Sequence, residues 1–352
     1  MIKWVALDKL TSWLNQSDTD VLCLVAPNYE PRSVLGLEPL LADLRANSER
    51  VQFGLLTLQS SSRRIEPLEY LKTANTNRLK RLIHSRLGRA PYALTVPYPN
   101  AFSEVTAQGI MRDLASGSKP PFSLVLDLTA LPRKVIAAIM SVILRERQQG
   151  RLERIFLLYS WAGAYPQPRY PGDIGALVPV RSGVALSRLL GSVGAARAVV
   201  LPSRQGFESR QFIEALPPTK HVSVHLLVDR ENPFHSFQVL RANTAVVNDT
   251  ALSLQYYLTL QAGHEHLLQW ARECPIEPDT AYLVAPFGPK LVLVSGWLAL
   301  GIVQQRCADA NNTVCDVVLL SGHQYNTTYS LGFDRLEAYE LDTSTLTTGA
   351  WP

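Results

Sequence analysis

None of the four cysteines, Cys23, Cys274, Cys307 and Cys315, forms a Cys-x-x-Cys pair, and the set lacks the ligand spacing of a zinc site. Reduced thiols in a cytosolic protein account for it. No apolar run is long enough to span a membrane. The longest, around residues 135–144 and 291–303, have the length of buried helices. The opening Met1-Ile2-Lys3-Trp4-Val5-Ala6-Leu7-Asp8 carries charge too early for a signal peptide, so the expected location is the cytoplasm. A full glycine-rich phosphate fingerprint is missing, as is a Gly-x-Ser-x-Gly elbow. His264-Glu265-His266 places its histidines at i and i+2, which point apart on a helix and do not make a zinc-protease pair. Neither a cofactor nor a metal is expected. Charge is nearly balanced: the net +4 does not demand a nucleic-acid partner but suits phosphate-bearing ligands.

What is present is length and alternation. A chain of 352 residues, 47% hydrophobic, is long enough for two domains with their own cores. Continuous apolar runs of strand length at 21–26, 51–58, 92–96, 122–128 and 155–160 alternate with helical patterns at 66–87, 101–114 and 133–147. Such alternation predicts βαβ units and a mainly parallel sheet. Within residues 1–20, Leu7 to Leu14 read as a short amphipathic helix ahead of the first strand, and Ser33 as the N-cap of a helix running towards Arg45. The proline-rich 165–172 marks a linker. Beyond it, strands at 198–201, 221–228, 281–285 and 314–320 alternate with helices ending at Ala215, at 250–271 and at 291–305. The expected fold is α/β: two tandem Rossmann-like units, mainly parallel sheets flanked by helices. They divide as residues 1–165, a linker 166–197, a second unit 198–341 and a frayed tail 342–352.

Two short patterns recur in order. After the first strand of each half comes aromatic-Glu-x-Arg: Tyr29-Glu30-Pro31-Arg32 and Phe207-Glu208-Ser209-Arg210. After the late strand comes a proline-basic turn: Pro132-Arg133 and Pro289-Lys290. Loops at the carboxyl ends of parallel strands line the ligand crevice of such sheets. A helix N-terminus there offers free N–H groups and partial positive charge. Arg133 and Lys290 are thus candidate phosphate or carboxylate contacts, Thr129 adds a hydroxyl, and Gly288 admits close backbone approach. The competing reading has these cations open a helix at a solvated surface. Glu30 with Arg32, and Glu208 with Arg210, either brace their loops as charge pairs or reach the ligand, Arg gripping a phosphate bidentately. Asp127 and Asp229 end strands. Asp127 fits a turn-capping role before Arg133 better than catalysis. The polar-aromatic stretch from Ser321 to Gly332 supplies His323, Tyr325 and Tyr329, a wall suited to stacking a base or an ordinary surface loop. The basic helix with Arg78, Lys80, Arg81 and Arg86 reads as a solvated face, since no aromatics interleave with its charges.

The turn Asp127-Leu128-Thr129 followed by Arg133, and Gly288 with Lys290, resemble the ligand turn of CARF and SAVED-type domains, Rossmann-like sensors of cyclic or linear oligonucleotides in prokaryotic defence. The family's paired glycines are replaced here by Ala130-Leu131-Pro132, and no Thr precedes Gly288. The resemblance implies a nucleotide or short oligonucleotide ligand, and since no effector nuclease or winged-helix segment follows, any effector is another protein. Expected partners are therefore such a ligand, an effector or complex-partner protein, and a second copy of the chain, with no membrane. Two other readings stand beside it. One is an enzyme of phosphodiester or nucleotide chemistry in the same crevice, with Asp127, Glu30 or His323 as acid or base. The other is a structural subunit with vestigial crevices.

Overall fold

The computed structural model describes residues 2–44, 49–60, 66–98, 103–163, 176–182, 184–204, 206–228, 233–308, 311–321 and 332–342. In chain order the first run is β1 Ile2–Val5, α1 Leu7–Gln16, β2 Val21–Val25, α2 Arg32–Leu35, α3 Glu38–Asp43, β3 Val51–Ser60, α4 Glu66–Leu87, β4 Tyr92–Tyr98, α5 Glu104–Leu114, β5 Phe122–Asp127, α6 Arg133–Gln148 and β6 Leu152–Ser160. The second is β7 Ala176–Pro179, α7 Leu186–Leu190, β8 Ala195–Leu201, α8 Phe207–Ala215, β9 Lys220–Leu227, α9 Pro233–Ala242, α10 Thr244–Val247, β10 Ser253–Tyr257, α11 Leu260–Glu273, β11 Thr280–Pro286, α12 Lys290–Arg306 and β12 Val314–Ser321. The chain returns as β13 Leu336–Leu341.

These elements form two mixed, mainly parallel sheets flanked by helices, in two compact units. The first sheet has the order β1-β13-β6-β5-β2-β3-β4 and the second β10-β9-β8-β11-β12-β7. In each, five strands run parallel in the order third, second, first, fourth, fifth of their run, the order of a Rossmann-like half. The chain is thus α/β with two tandem Rossmann-like units. The central strands are apolar along their whole length because both faces are covered: every residue of β2, β5 and β11 is buried. The first core gathers Leu10, Val25, Leu41, Phe53, Ile83 and Phe156. The second gathers Leu189, Val200, Phe212, Val224, Val239 and Leu283. Helix α12 is buried from Leu291 to Val303, and Ile139 of α6 is fully buried.

The sixth strand of each sheet comes from an unexpected part of the chain. After the fifth strand of the first run, the next strand, β7, pairs antiparallel with β12, the fifth strand of the second. After β12, the next strand, β13, pairs antiparallel with β6. β7 thus forms an edge of the second sheet, and β13 lies between β6 and β1 in the first. The second-unit range 198–341 and the linker range 166–197 therefore need correction: residues 336–341 complete the first sheet, and β7 and α7 belong to the second unit. Residues 164–175, which hold the proline-rich stretch, lie outside the described residues, as does the tail beyond Asp342.

Two local expectations also change. The helix read at Leu7 to Leu14 is α1, but a strand precedes it: β1 pairs with β13, Ile2 opposite Leu341. The helix expected over 250–271 is a strand followed by a shorter helix. Leu254 to Tyr257 extend alongside β9, and Thr259 caps α11 by accepting from Ala262 N at 3.1 Å.

Candidate functional site

In each unit the strand order reverses between the first and fourth strands, and the loops leaving those strands meet there. In the first unit they are 26–31, after β2, and 128–132, after β5. Arg32 donates to the Glu30 carboxylate at 2.6 Å and to Ser160 O at 3.0 Å, with both charged residues buried. This is the bracing role. Breaking such a buried pair by removing one partner costs roughly 3–5 kcal/mol. Ser33 is not an N-cap: α2 begins one residue earlier, and the Ser33 hydroxyl donates to Glu30 O at 2.7 Å inside the turn. Helix α3 ends at Asp43, so the single helix expected after Ser33 is two short ones.

Asp127 and Thr129 sit below the surface of the second loop. Asp127 Oδ1 accepts from Thr129 N at 2.9 Å, the turn-capping bond that the strand-end carboxylate suggests. Thr129 Oγ1 accepts from Ser160 N at 2.9 Å, and both side chains are buried. Thus Arg32 and Thr129 both clasp Ser160, at the end of β6. Above them α6 opens at Arg133 behind Pro132, which as N-cap residue makes no side-chain bond, with no acidic residue in the first turn. Arg133 and Lys134 are half-buried.

The second unit has the same plan with different bonds. The loop 202–206 follows β8. The Ser203 hydroxyl donates to the Glu208 carboxylate, and Asn243 Nδ2 donates to Ser203 O at 2.7 Å. Gly206 turns with φ +73°, where a Cβ would lie 1.9 Å from Ala242 O, so only glycine fits. Glu208 and Arg210 do not pair. Arg210 is an exposed surface residue bonded to Glu214 at 2.7 Å, which lifts its pKa through the hydrogen bond and charge of that carboxylate. Its position on the outer face of α8 explains the failure of the brace. Gly288 N donates to Leu201 O at 2.8 Å, and a Cβ there would stand 3.2 Å from Pro202 O. The two loops of this crevice therefore touch at Gly288. Helix α12 then opens at Lys290 behind Pro289, again with no side-chain cap and no acidic residue in the first turn.

Arg133 and Lys290 occupy the same place: the first helical residue after the fourth strand of the parallel set. The Glu30 and Glu208 positions are not equivalent. Glu30 stands two residues before its helix and Glu208 is the second residue of its own. His323, Tyr325, Tyr329 and Asp229 lie outside the described residues. A buried guanidinium that neither recurring pattern includes is Arg204, in the loop after β8, which donates to Gln238 Oε1 at 3.0 Å.

A separate polar cleft of about 460 Å³ lies between α11 and the β8–β9–β10 face, lined by Arg197, His221, His225, Ser253, His266 and Trp270. Arg197 and His221 lie near the amino-terminal ends of β8 and β9, away from Lys290, and His225 lies further along β9. Arg197 is held by Glu277 at 2.8 Å. Burial, with His266 nearby, pushes the His225 pKa down to about 4. Among the described residues no group of three or more potential metal ligands converges, and no helix is long and apolar enough to cross a membrane.

No family model matches the chain, and no curated protein matches it. Among solved structures, the cytoplasmic domain of a prokaryotic cation chloride cotransporter aligns at 12% identity over 87% of this chain and 97% of that one, with a TM-score of 0.25. At that score the likeness carries no argument about fold or function. The class rests on the sheets themselves: a tandem Rossmann-like α/β protein.

Proposed function

We propose that the protein is a nucleotide- or oligonucleotide-binding sensor that holds phosphate at the N-termini of α6 and α12 and reports to a partner protein. The observation that carries this is the repetition of one arrangement in two units. At each topological switch point, a helix without a side-chain cap begins on a cation, Arg133 or Lys290. A helix N-terminus and its dipole favour an anion there, and the cation adds a full charge. Binding is favoured over catalysis because the nearby carboxylates already serve the framework: Glu30 on Arg32, Asp127 on Thr129 N, Glu208 with Ser203. The likeness of these turns to CARF and SAVED-type domains sets the probes: mononucleotides and cyclic and linear oligonucleotides of the kind used in prokaryotic defence.

Calorimetric titration of that panel tests the reading. Arg133→Ala should weaken binding by roughly 1.5–3 kcal/mol, the range for a hydrogen bond to a charged group, with circular dichroism unchanged. Lys290→Ala should act in the second unit, by less, because Lys lacks the guanidinium fork. Affinity should fall with added salt. Unchanged affinity in both variants removes the site. If no probe binds the wild type at millimolar concentration, the reading fails.

A further inference from the structure

Helix α11 covers a polar layer where the fold calls for an apolar one. Strands β8 and β9 turn alternate residues to the second core: Ala196, Ala198 and Val200 from one, Val222, Val224 and Leu226 from the other. The opposite face of the same strands carries Arg197, His221, Ser223 and His225, with Arg197 opposite His221. The edge strand β10 extends that face, placing Ser253 opposite Ser223 and Gln255 opposite His225. All of these line the cleft of about 460 Å³ under α11, which contributes His266, Gln269, Trp270 and Glu273 at the spacing of one helix face. A parallel strand covered by helices is ordinarily apolar on both faces. The first unit follows that rule at the equivalent layer. There Leu114 of α5 and Leu94 of β4 close over Gly54 of β3, so tightly that a Cβ on Gly54 would lie 2.7 Å from Leu114 Cδ1 and 3.1 Å from Leu94 Cδ1.

The polar layer is not satisfied from within. His225 is 3% exposed. Its Nε2 shares a hydrogen bond with Ser223 Oγ at 3.0 Å, and its Nδ1 has no partner among the described residues. A buried polar atom left unpaired is costly. Ser253 and Gln255 are exposed, so the cleft opens to solvent along the edge strand.

We propose that this cleft binds a small neutral polyhydroxylated ligand, a sugar or a cyclitol, set against Trp270 and hydrogen-bonded to the polar face of β9 and β10. The volume lies within the range of about 300–1,000 Å³ for small-molecule sites. Charge does not favour an anion. Glu277 grips Arg197 at 2.8 and 3.2 Å, Glu273 adds a carboxylate, and burial keeps His225 neutral at neutral pH, with a pKa of about 4. A nucleobase could stack on Trp270, but its flat apolar faces would leave most of the serine, glutamine and histidine wall unpaired. A hydroxyl both donates and accepts, so it serves His225 Nδ1 in either tautomer and the serine and glutamine side chains alike. The C–H face of a sugar ring suits the single indole. The cleft stands apart from the helix termini at Arg133 and Lys290, so either site can fail alone.

Saturation-transfer NMR on the full chain tests the proposal. The probes are glucose, galactose, mannose, trehalose, maltose and myo-inositol, with citrate as the anion and adenosine as the nucleobase. Transfer to the C–H protons of at least one sugar or of the inositol is expected at millimolar concentration. Affinity should fall about tenfold in Trp270→Ala, in His225→Phe and in Gln255→Ala, the scale of one lost ring contact or hydrogen bond. His225→Phe keeps the ring volume, and Gln255 is exposed on an edge strand, so the fold does not depend on all three variants. Silence from every sugar and from the inositol overturns the proposal. So does a signal that the three variants leave unchanged. Binding of citrate or adenosine without binding of any sugar overturns it as well.

Discussion

Acidification should unfold the second unit before the first, because two of its imidazoles are native only when neutral. His264 on α11 is 1% exposed and His225 on β9 is 3% exposed. Both ring nitrogens of His264 lack partners among the described residues, as does Nδ1 of His225. Burial lowers His264 to about 3 and His225 to about 4. The unfolded value is 6.5, so the folded pKa lies below the unfolded one in both cases. Unfolding therefore takes up protons below pH 6.5, and native stability is present above that pH and falls as pH drops. Between pH 8 and pH 5 each group contributes about 1.5 pH units of linkage, about 2 kcal/mol. The two together contribute about 4 kcal/mol, a large fraction of a typical domain's margin. Denaturant titrations at pH 8, 6.5 and 5, read by hydrogen exchange in peptides from β9 and α11, give the slope. Peptides from β5 give the comparison in the first unit. His264→Leu removes ring nitrogens that no described group needs, so it should flatten about half of the acid loss at little cost at pH 8. A wild-type second unit equally stable at pH 5 and pH 8, or a His264→Leu variant with the full wild-type slope, would refute the reasoning.

Ile139→Asp should destabilise the first unit by several kcal/mol, on the order of the penalty for uncompensated burial of a charge, since Ile139 is fully buried in α6. A thermal melt matching wild type contradicts that burial. Ending the chain before residue 332 removes β13, whose Ala338, Tyr339 and Leu341 are buried and whose Glu337 receives the Trp161 indole N–H at 2.6 Å. Amides of β6 should lose exchange protection while those of β11 keep theirs, and β6 protection that survives the truncation refutes the pairing of β13 with β6.

The parallel strands were legible in the sequence because burial on both faces writes itself as an unbroken apolar run, as in Val21 to Val25 and Ala281 to Ala285. Helix α4 was legible to its ends. The short antiparallel strands were not. Ile2–Val5, Ala176–Pro179 and Leu336–Leu341 are edge or near-edge strands whose partners lie far along the chain, and nothing local distinguishes them from loops or helix starts. Strand β10 was misread for a related reason: its exposed Gln255 and Tyr256 interrupt the apolar pattern, and only the ladder with β9 makes it a strand. The repeat was visible, while the placement of β7 in the second sheet and β13 in the first depends on pairing alone.

The two recurring motifs fared differently, and the difference is physical. Glu30 and Arg32 work as a pair because Arg32 begins a helix directed at the end of β6, where Ser160 O accepts its second bond. Glu208 and Arg210 share the spacing, but their helix has already begun at Phe207. Two residues apart on a helix point to different faces, so Glu208 turns inward to Ser203 and Arg210 outward to Glu214. The likeness of those four letters is not a likeness of place. The proline-basic turn keeps its place in both units because it depends on backbone geometry: proline fixes the entry as the N-cap residue, without a side-chain bond of its own, and sets Arg133 or Lys290 on the first turn. If phosphate binds there, most of its contacts fall on backbone N–H groups, which no residue-type motif can display. The replacement of paired glycines by Ala130-Leu131-Pro132 then has a structural meaning. The first-unit turn keeps the helix terminus and the cation, while its loop is bound down to β6 through Thr129 and Leu128. Close approach by glycine survives in the second unit, where Gly288 crosses the backbone of Leu201 and Pro202.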